Sequence, residues 1–97
     1  MSNNAEVVHN SDANRFELTI DGQVAELDYR RDGDRLILTH TGVPGLLEGQ
    51  GIGGKLVSAA VDQAETDQLT IVARCSFARD WLERHPEAAG RVTIEAA

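Results

Sequence analysis

The chain has 97 residues, 41% of them hydrophobic and 26% charged, with 9 basic against 16 acidic side chains and a formal net charge of −7. That length allows one domain with one core and one ligand cleft, and excludes the two nucleotide-binding halves of a full dinucleotide fold. The acidic balance argues against a nucleic-acid backbone as partner, because such binding relies on clustered Lys and Arg; it leans toward cationic small molecules or basic peptides.

Residues 1–12 are polar and predict a frayed start, with neither the basic region and apolar run of a signal peptide nor a membrane span. Residues 13–97 then form the single domain. Phe16, Leu18 and Ile20 alternate with Glu17 and Thr19, which predicts a strand with one buried face. Asp21-Gly22 suits the positive φ angles of a two-residue hairpin turn. The return strand covers residues 23–31, with Ala25, Leu27 and Tyr29 on one face, and Asp32-Gly33-Asp34 turns the chain again. Residues 36–41 read as a strand buried on both faces, completing an antiparallel meander.

A short loop with Pro44 and Gly45 leads to Glu48-Gly49-Gln50-Gly51-Ile52-Gly53-Gly54-Lys55. A helix follows, with Ile52, Leu56, Val57, Ala60, Val61 and Ala64 on its apolar face. Asp67 and Gln68 end it. Residues 69–73 are a short apolar run, expected as an interior strand parallel to 36–41 across the helix. Ser76 is expected to cap a second helix over 77–84, with Phe77 and Trp81 read first as core residues beneath the sheet and second as ligand-stacking residues, and Pro86 as its end. Residues 92–94 predict a late edge strand. The fold class is therefore α/β, a meander running into a mixed sheet with two helices.

Glycines permit sharp turns and close approach to a ligand, and helix-start amides lack intrahelical partners at the positive end of the dipole. The glycine run is therefore expected to cradle a phosphate or pyrophosphate. Gly49-x-Gly51-x-x-Gly54 matches the dinucleotide fingerprint in letters, but three antiparallel strands and a loop precede it where one strand should lead in directly. Gly49 through Gly54-Lys55 also matches most of a P-loop, yet Leu56 stands where Ser or Thr must hold Mg²⁺.

The order of strands, loop, glycine run, amphipathic helix, parallel strand and final helix resembles the GCN5-related N-acetyltransferase fold. In that family a (Gln/Arg)-x-x-Gly-x-(Gly/Ala) loop wraps the pyrophosphate of coenzyme A; here the hexad is Glu48 to Gly53, with Glu48 at a position where that carboxylate is expected to point away. His40-Thr41-Gly42-Val43-Pro44, Leu47 to Gly53, Cys75-Ser76-Phe77 and His85-Pro86-Glu87 are similar in turn to the very short members of the family. The resemblance covers about residues 7–90 and implies an acetyl-coenzyme A-binding domain with a minimal fold and two splayed parallel strands, 36–41 and 69–73. It implies cofactor contacts from Thr41, Gly42 and Val43 to the pantetheine arm, and from Gly49, Gln50, Gly51, Ile52, Gly53, Gly54 and Lys55 to the pyrophosphate.

Acetyl transfer to an amine requires a polarised thioester, an acceptor that loses a proton and a stabilised leaving thiolate. Cys75 follows the second splayed strand and precedes a helix start, so it is a candidate nucleophile or acid; the plain alternative is a small buried apolar residue. His40 ends the other strand and is a candidate general base, or a strand-end histidine satisfied by a carbonyl. His85 reads as structural and His9 as exposed. Three histidines and one cysteine offer no zinc spacing, and no metal site is expected. The lone cysteine fits a reducing cytosol and a cytoplasmic location. The expected partners are coenzyme A and an unidentified, cationic amine, with neither nucleic acid nor membrane. A coenzyme A-binding module without acceptor turnover is the rival reading.

Overall fold

The computed structural model describes residues 6–95. Six strands form one sheet in sequence order: β1 Val8–Asn10, β2 Arg15–Ile20, β3 Gln23–Asp32, β4 Arg35–Gly42, β5 Thr70–Ala73 and β6 Thr93–Glu95. Strands β1 to β4 pair antiparallel, and β4, β5 and β6 pair parallel. Three helices follow the meander: α1 Ile52–Asp67, α2 Ser76–Arg84 and α3 Pro86–Ala89.

The turns follow from their residues. Asp21 and Gly22 both take positive φ, 51° and 78°, as a tight hairpin between right-twisted strands requires. Gly33 at φ 61° turns β3 into β4. Gln68 caps α1 in the left-handed conformation, its N–H donating to the carbonyls of Ala64 and Glu65.

One face of the sheet carries the core. Phe16, Leu18, Ala25, Leu27, Leu36, Leu38 and Ile71 meet Leu56, Val57, Ala60, Val61 and Ala64 of α1, all fully or nearly fully buried. Helices α2 and α3 pack beside α1 and contribute Ala78, Leu82 and Ala88. The other face holds the ion-paired side chains Arg15, Glu17, Glu26 and Asp28.

Several expectations are corrected. The polar segment before residue 13 contains strand β1, paired with β2 from Val8↔Glu17 to Asn10↔Arg15, and a 3₁₀ turn over Ser11–Ala13. His9 is exposed as expected, yet it stacks on Phe16 and bonds the Tyr29 hydroxyl at 2.6 Å, so the strand is anchored by one aromatic cluster. Residues 1–5 of the expected frayed start lie outside the described residues. Among the described residues there are three helices rather than two: Pro86 ends α2 and also opens α3, because its missing N–H costs nothing at a first helical position. Cys75, not Ser76, occupies the N-cap position of α2, without a side-chain capping bond. Strand β4 is buried on both faces only over Leu36–Leu38, and Thr39 and His40 are exposed.

Candidate functional site

Strand β4 outruns its parallel neighbour. Pairing with β5 extends from Arg35↔Thr70 to Leu38↔Ala73, while β4 continues to Gly42 against β3 alone. The Leu38 carbonyl accepts from both Arg74 N and Cys75 N at 3.0 Å, which turns the chain away from β4 and into α2. The two parallel strands therefore splay, and the β4 edge beyond Leu38 has no strand partner among the described residues.

A break in register at Asp28/Tyr29 decides which way the end of β4 faces. Thr41 pairs with the buried Leu27 and faces the helices, whereas His40 pairs with Asp28 and faces the charged side. A Cβ on Gly42 would meet Glu26 Oε2 at 3.1 Å and His40 Nε2 at 3.2 Å, so both side chains abut Gly42 on that outer face.

The glycine run then builds the start of α1. Gly49 and Gly51 have φ of 84° and 75°, the left-handed region that penalises any side chain. Gly51 is the N-cap and makes no side-chain capping bond; the first turn holds no acidic residue, and Lys55 N donates to Gly51 O at 3.1 Å. The amides of Ile52, Gly53 and Gly54 precede that first helical bond and are left for an external acceptor.

Gly53 and Gly54 have a different physical reason. A Cβ on Gly53 would lie 2.6 Å from Phe77 Cζ, and one on Gly54 would lie 2.5 Å from Trp81 Nε1. Their bareness admits the aromatic side chains of α2 against the first turn of α1. Phe77 is consequently not a core residue, being 42% exposed; Trp81 is half-buried and packs against the edge of the core, while Ala78 and Leu82 form the buried stripe of α2.

These elements enclose an open cavity of about 1020 Å³. Of the expected cofactor residues, Thr41, Gly42, Val43, Gly49, Gly51, Ile52, Gly53, Gly54 and Lys55 line it. Gln50 does not; its side chain turns back toward the Leu46 carbonyl at 3.4 Å. Glu48, expected to point away, is a lining residue, and so are Phe77, Trp81 and His85. The last three recur every fourth residue along α2 and its C-cap, a visible stripe of which sequence reading assigns Phe77 and Trp81 to the core and His85 to a structural role. His85 stacks on Trp81 at 4.0 Å and 15°, and its Nδ1 donates to the Trp81 carbonyl at 2.7 Å.

The two candidate catalytic residues do not meet. Half-buried Cys75 sits on the helix side, its Sγ 3.1 Å from Thr41 Oγ1, whereas His40 is exposed on the outer face, and neither lines the cavity. The outer face beside His40 is acidic: Arg15 is shared among Asp28 at 3.0 Å, Glu26 at 3.4 Å and Glu17 at 3.8 Å. Among the described residues, no group of three or more His, Cys, Asp or Glu is placed to hold a metal, and no helix is long and apolar enough to cross a membrane.

A mixed sheet that splays beside a glycine-led helix defines an acetyltransferase-like α/β domain. The family model for the GCN5-related N-acetyltransferase matches residues 15–91, and the chain belongs to that family. It is also similar to a GCN5-like protein from Staphylococcus aureus known from a solution structure, at 33% identity and a TM-score of 0.74, over 99% of this chain and 93% of that one.

Proposed function

We propose that the protein binds acetyl-coenzyme A in this cavity and transfers the acetyl group to an amine. One observation carries the reading: an uncapped helix start with positive-φ glycines and an unpaired strand edge open into the same cavity. The helix start suits a pyrophosphate, and the free edge of β4 suits the amides of an extended pantetheine arm, which can bond to it as an added strand would. A cavity of about 1020 Å³ accommodates a ligand of that size. Lys55 on its wall adds positive charge.

When bound, the co-substrate supplies the activated thioester carbonyl. The transfer forms a bond from the acceptor nitrogen to the acetyl carbon and breaks the carbon–sulfur bond; the nitrogen loses a proton and the departing sulfur gains one. His40, beside Gly42 on the outer face, takes the proton of an acceptor that arrives from that side. The carboxylates of Glu17, Glu26 and Asp28 favour a cationic acceptor there. On the inner side, the Thr41 hydroxyl gives its proton to the departing sulfur and is resupplied by the Cys75 thiol it bonds. Cys75 acts in this scheme through Thr41 rather than as a nucleophile, since its sulfur is already engaged and lies outside the cavity lining.

Thiol release from acetyl-coenzyme A, followed against a panel of amines, polyamines and lysine-containing peptides, tests the reaction. Release above hydrolysis with at least one acceptor is expected. Tight coenzyme A binding with no release for any of them would leave a binding module in place of an enzyme.

A further inference from the structure

The cavity continues past the glycine loop along α2, and its far wall is aromatic. Trp81 lies against Gly54, and His85 stacks on Trp81 with rings 4.0 Å apart and 15° from parallel. The bond from His85 Nδ1 to the Trp81 carbonyl, 2.7 Å long, holds the imidazole in place one turn further along α2. Both residues are half-buried and line the cavity, and Trp81 also packs against the edge of the core. A stacked pair held this way covers one face of each ring and presents its remaining cavity-facing apolar surface at little further entropic cost, as a platform for a flat ring.

The position along the cavity names the ring. Acetyl-coenzyme A is a linear molecule with thioester, pantetheine, pyrophosphate, ribose and adenine in that order. With the arm along β4 and the pyrophosphate at the amides of α1, the part of the wall beyond Gly54 is left for the base. We propose that Trp81, braced by His85, is the stacking platform for the adenine of the bound cofactor. Gly54 is then glycine because it must seat the indole, and α2 supplies affinity for the nucleotide rather than chemistry. This inference rests on the coenzyme A reading above.

The chain contains a single tryptophan, so its emission reports on the platform directly. Wild-type protein and the Trp81→Ala and Trp81→Phe variants would be titrated with coenzyme A, 3′,5′-adenosine bisphosphate and 4′-phosphopantetheine, by emission where Trp81 is present and by calorimetry throughout. Coenzyme A and the bisphosphate should change wild-type emission, and 4′-phosphopantetheine, which has no base, should bind without doing so. Trp81→Ala should lose roughly tenfold or more in coenzyme A affinity and keep that for 4′-phosphopantetheine, with Trp81→Phe in between. Calorimetric binding of coenzyme A without any emission change, or with unchanged affinity in Trp81→Ala, overturns the platform and leaves the coenzyme A reading intact. If Trp81→Ala binds neither ligand because it does not fold, the wild-type emission pattern and Trp81→Phe decide. Wild-type protein that binds neither coenzyme A nor 4′-phosphopantetheine overturns both.

Discussion

Thr41 Oγ1 lies 3.1 Å from Cys75 Sγ, which links a cavity-wall hydroxyl at the end of β4 to the N-cap of α2. The pair bridges the splay, where β4 and β5 have stopped pairing. If it delivers the proton to the leaving sulfur, Cys75→Ala and Thr41→Val should each lower kcat roughly 10²-fold with little change in KM for acetyl-coenzyme A. The double variant should be no slower than the worse single one, because both remove one relay. Intact mass after incubation with acetyl-coenzyme A and acid quench should show no acetyl adduct on wild type; an adduct absent from Cys75→Ala would restore the nucleophile role.

His40 stands outside the cavity, beside Gly42 and Glu26 on the exposed face. His40→Gln should therefore leave coenzyme A affinity unchanged while kcat falls, again by roughly 10²-fold for a lost general base. Steady-state kinetics paired with calorimetry checks this. A variant that keeps full turnover would assign His40 to the surface alone.

Gly54→Ala sets two effects against each other. Alanine in a helix gains about 1 kcal/mol over glycine, but here its Cβ would meet Trp81 Nε1 at 2.5 Å, and overpacking costs about 1–3 kcal/mol. Trp81 is pinned by its stack on His85, so the clash should win and the midpoint of urea unfolding should fall. Gly53→Ala should be close to neutral, because the offending atom is the far end of Phe77, 42% exposed and free to swing outward. Equal destabilisation by both would contradict this ranking.

Tyr29 is buried against Phe16 and bonded to His9, and burial raises its phenol above the ordinary value of 10.0, offset in part by the nearby positive charge of Arg31. The fold thus holds the phenolic proton more tightly than the unfolded chain does. Its contribution to stability is complete below pH 10 and is lost as pH rises through the raised value in the folded protein. As the chain has one tyrosine, an absorbance titration should show a single phenol with a midpoint above 10. Tyr29→Phe should remove this part of the alkaline decline and cost about 1 kcal/mol at neutral pH for the lost hydrogen bond.

Much of this fold was legible. The alternation of Phe16, Leu18 and Ile20, the Asp21-Gly22 turn and the run into Gly51 are local signals, and their local conformations follow from steric and hydrogen-bonding rules that need no tertiary context. The facing of His40 and Thr41 was not legible, since it depends on a register break opposite Asp28/Tyr29 that one strand's sequence does not reveal. The stripe of α2 misled for a related reason. Phe77 and Trp81 are its most apolar-looking pair, yet the small residue Ala78 with Leu82 faces the core, and the larger rings fit where Gly53 and Gly54 leave room. Strand β1 was missed because it is only three residues long and its anchor, His9 on Phe16, is a tertiary contact.

Calorimetric titration of wild-type protein and Gly51→Trp with coenzyme A bears most directly on the cradle at the start of α1. Gly51 holds φ at 75° on the cavity wall, so an indole there both strains the loop and intrudes on the ligand. Micromolar or tighter binding to wild type, lost in Gly51→Trp while the variant's circular dichroism stays that of the folded protein, is the predicted result. No binding of coenzyme A to folded wild-type protein would contradict it.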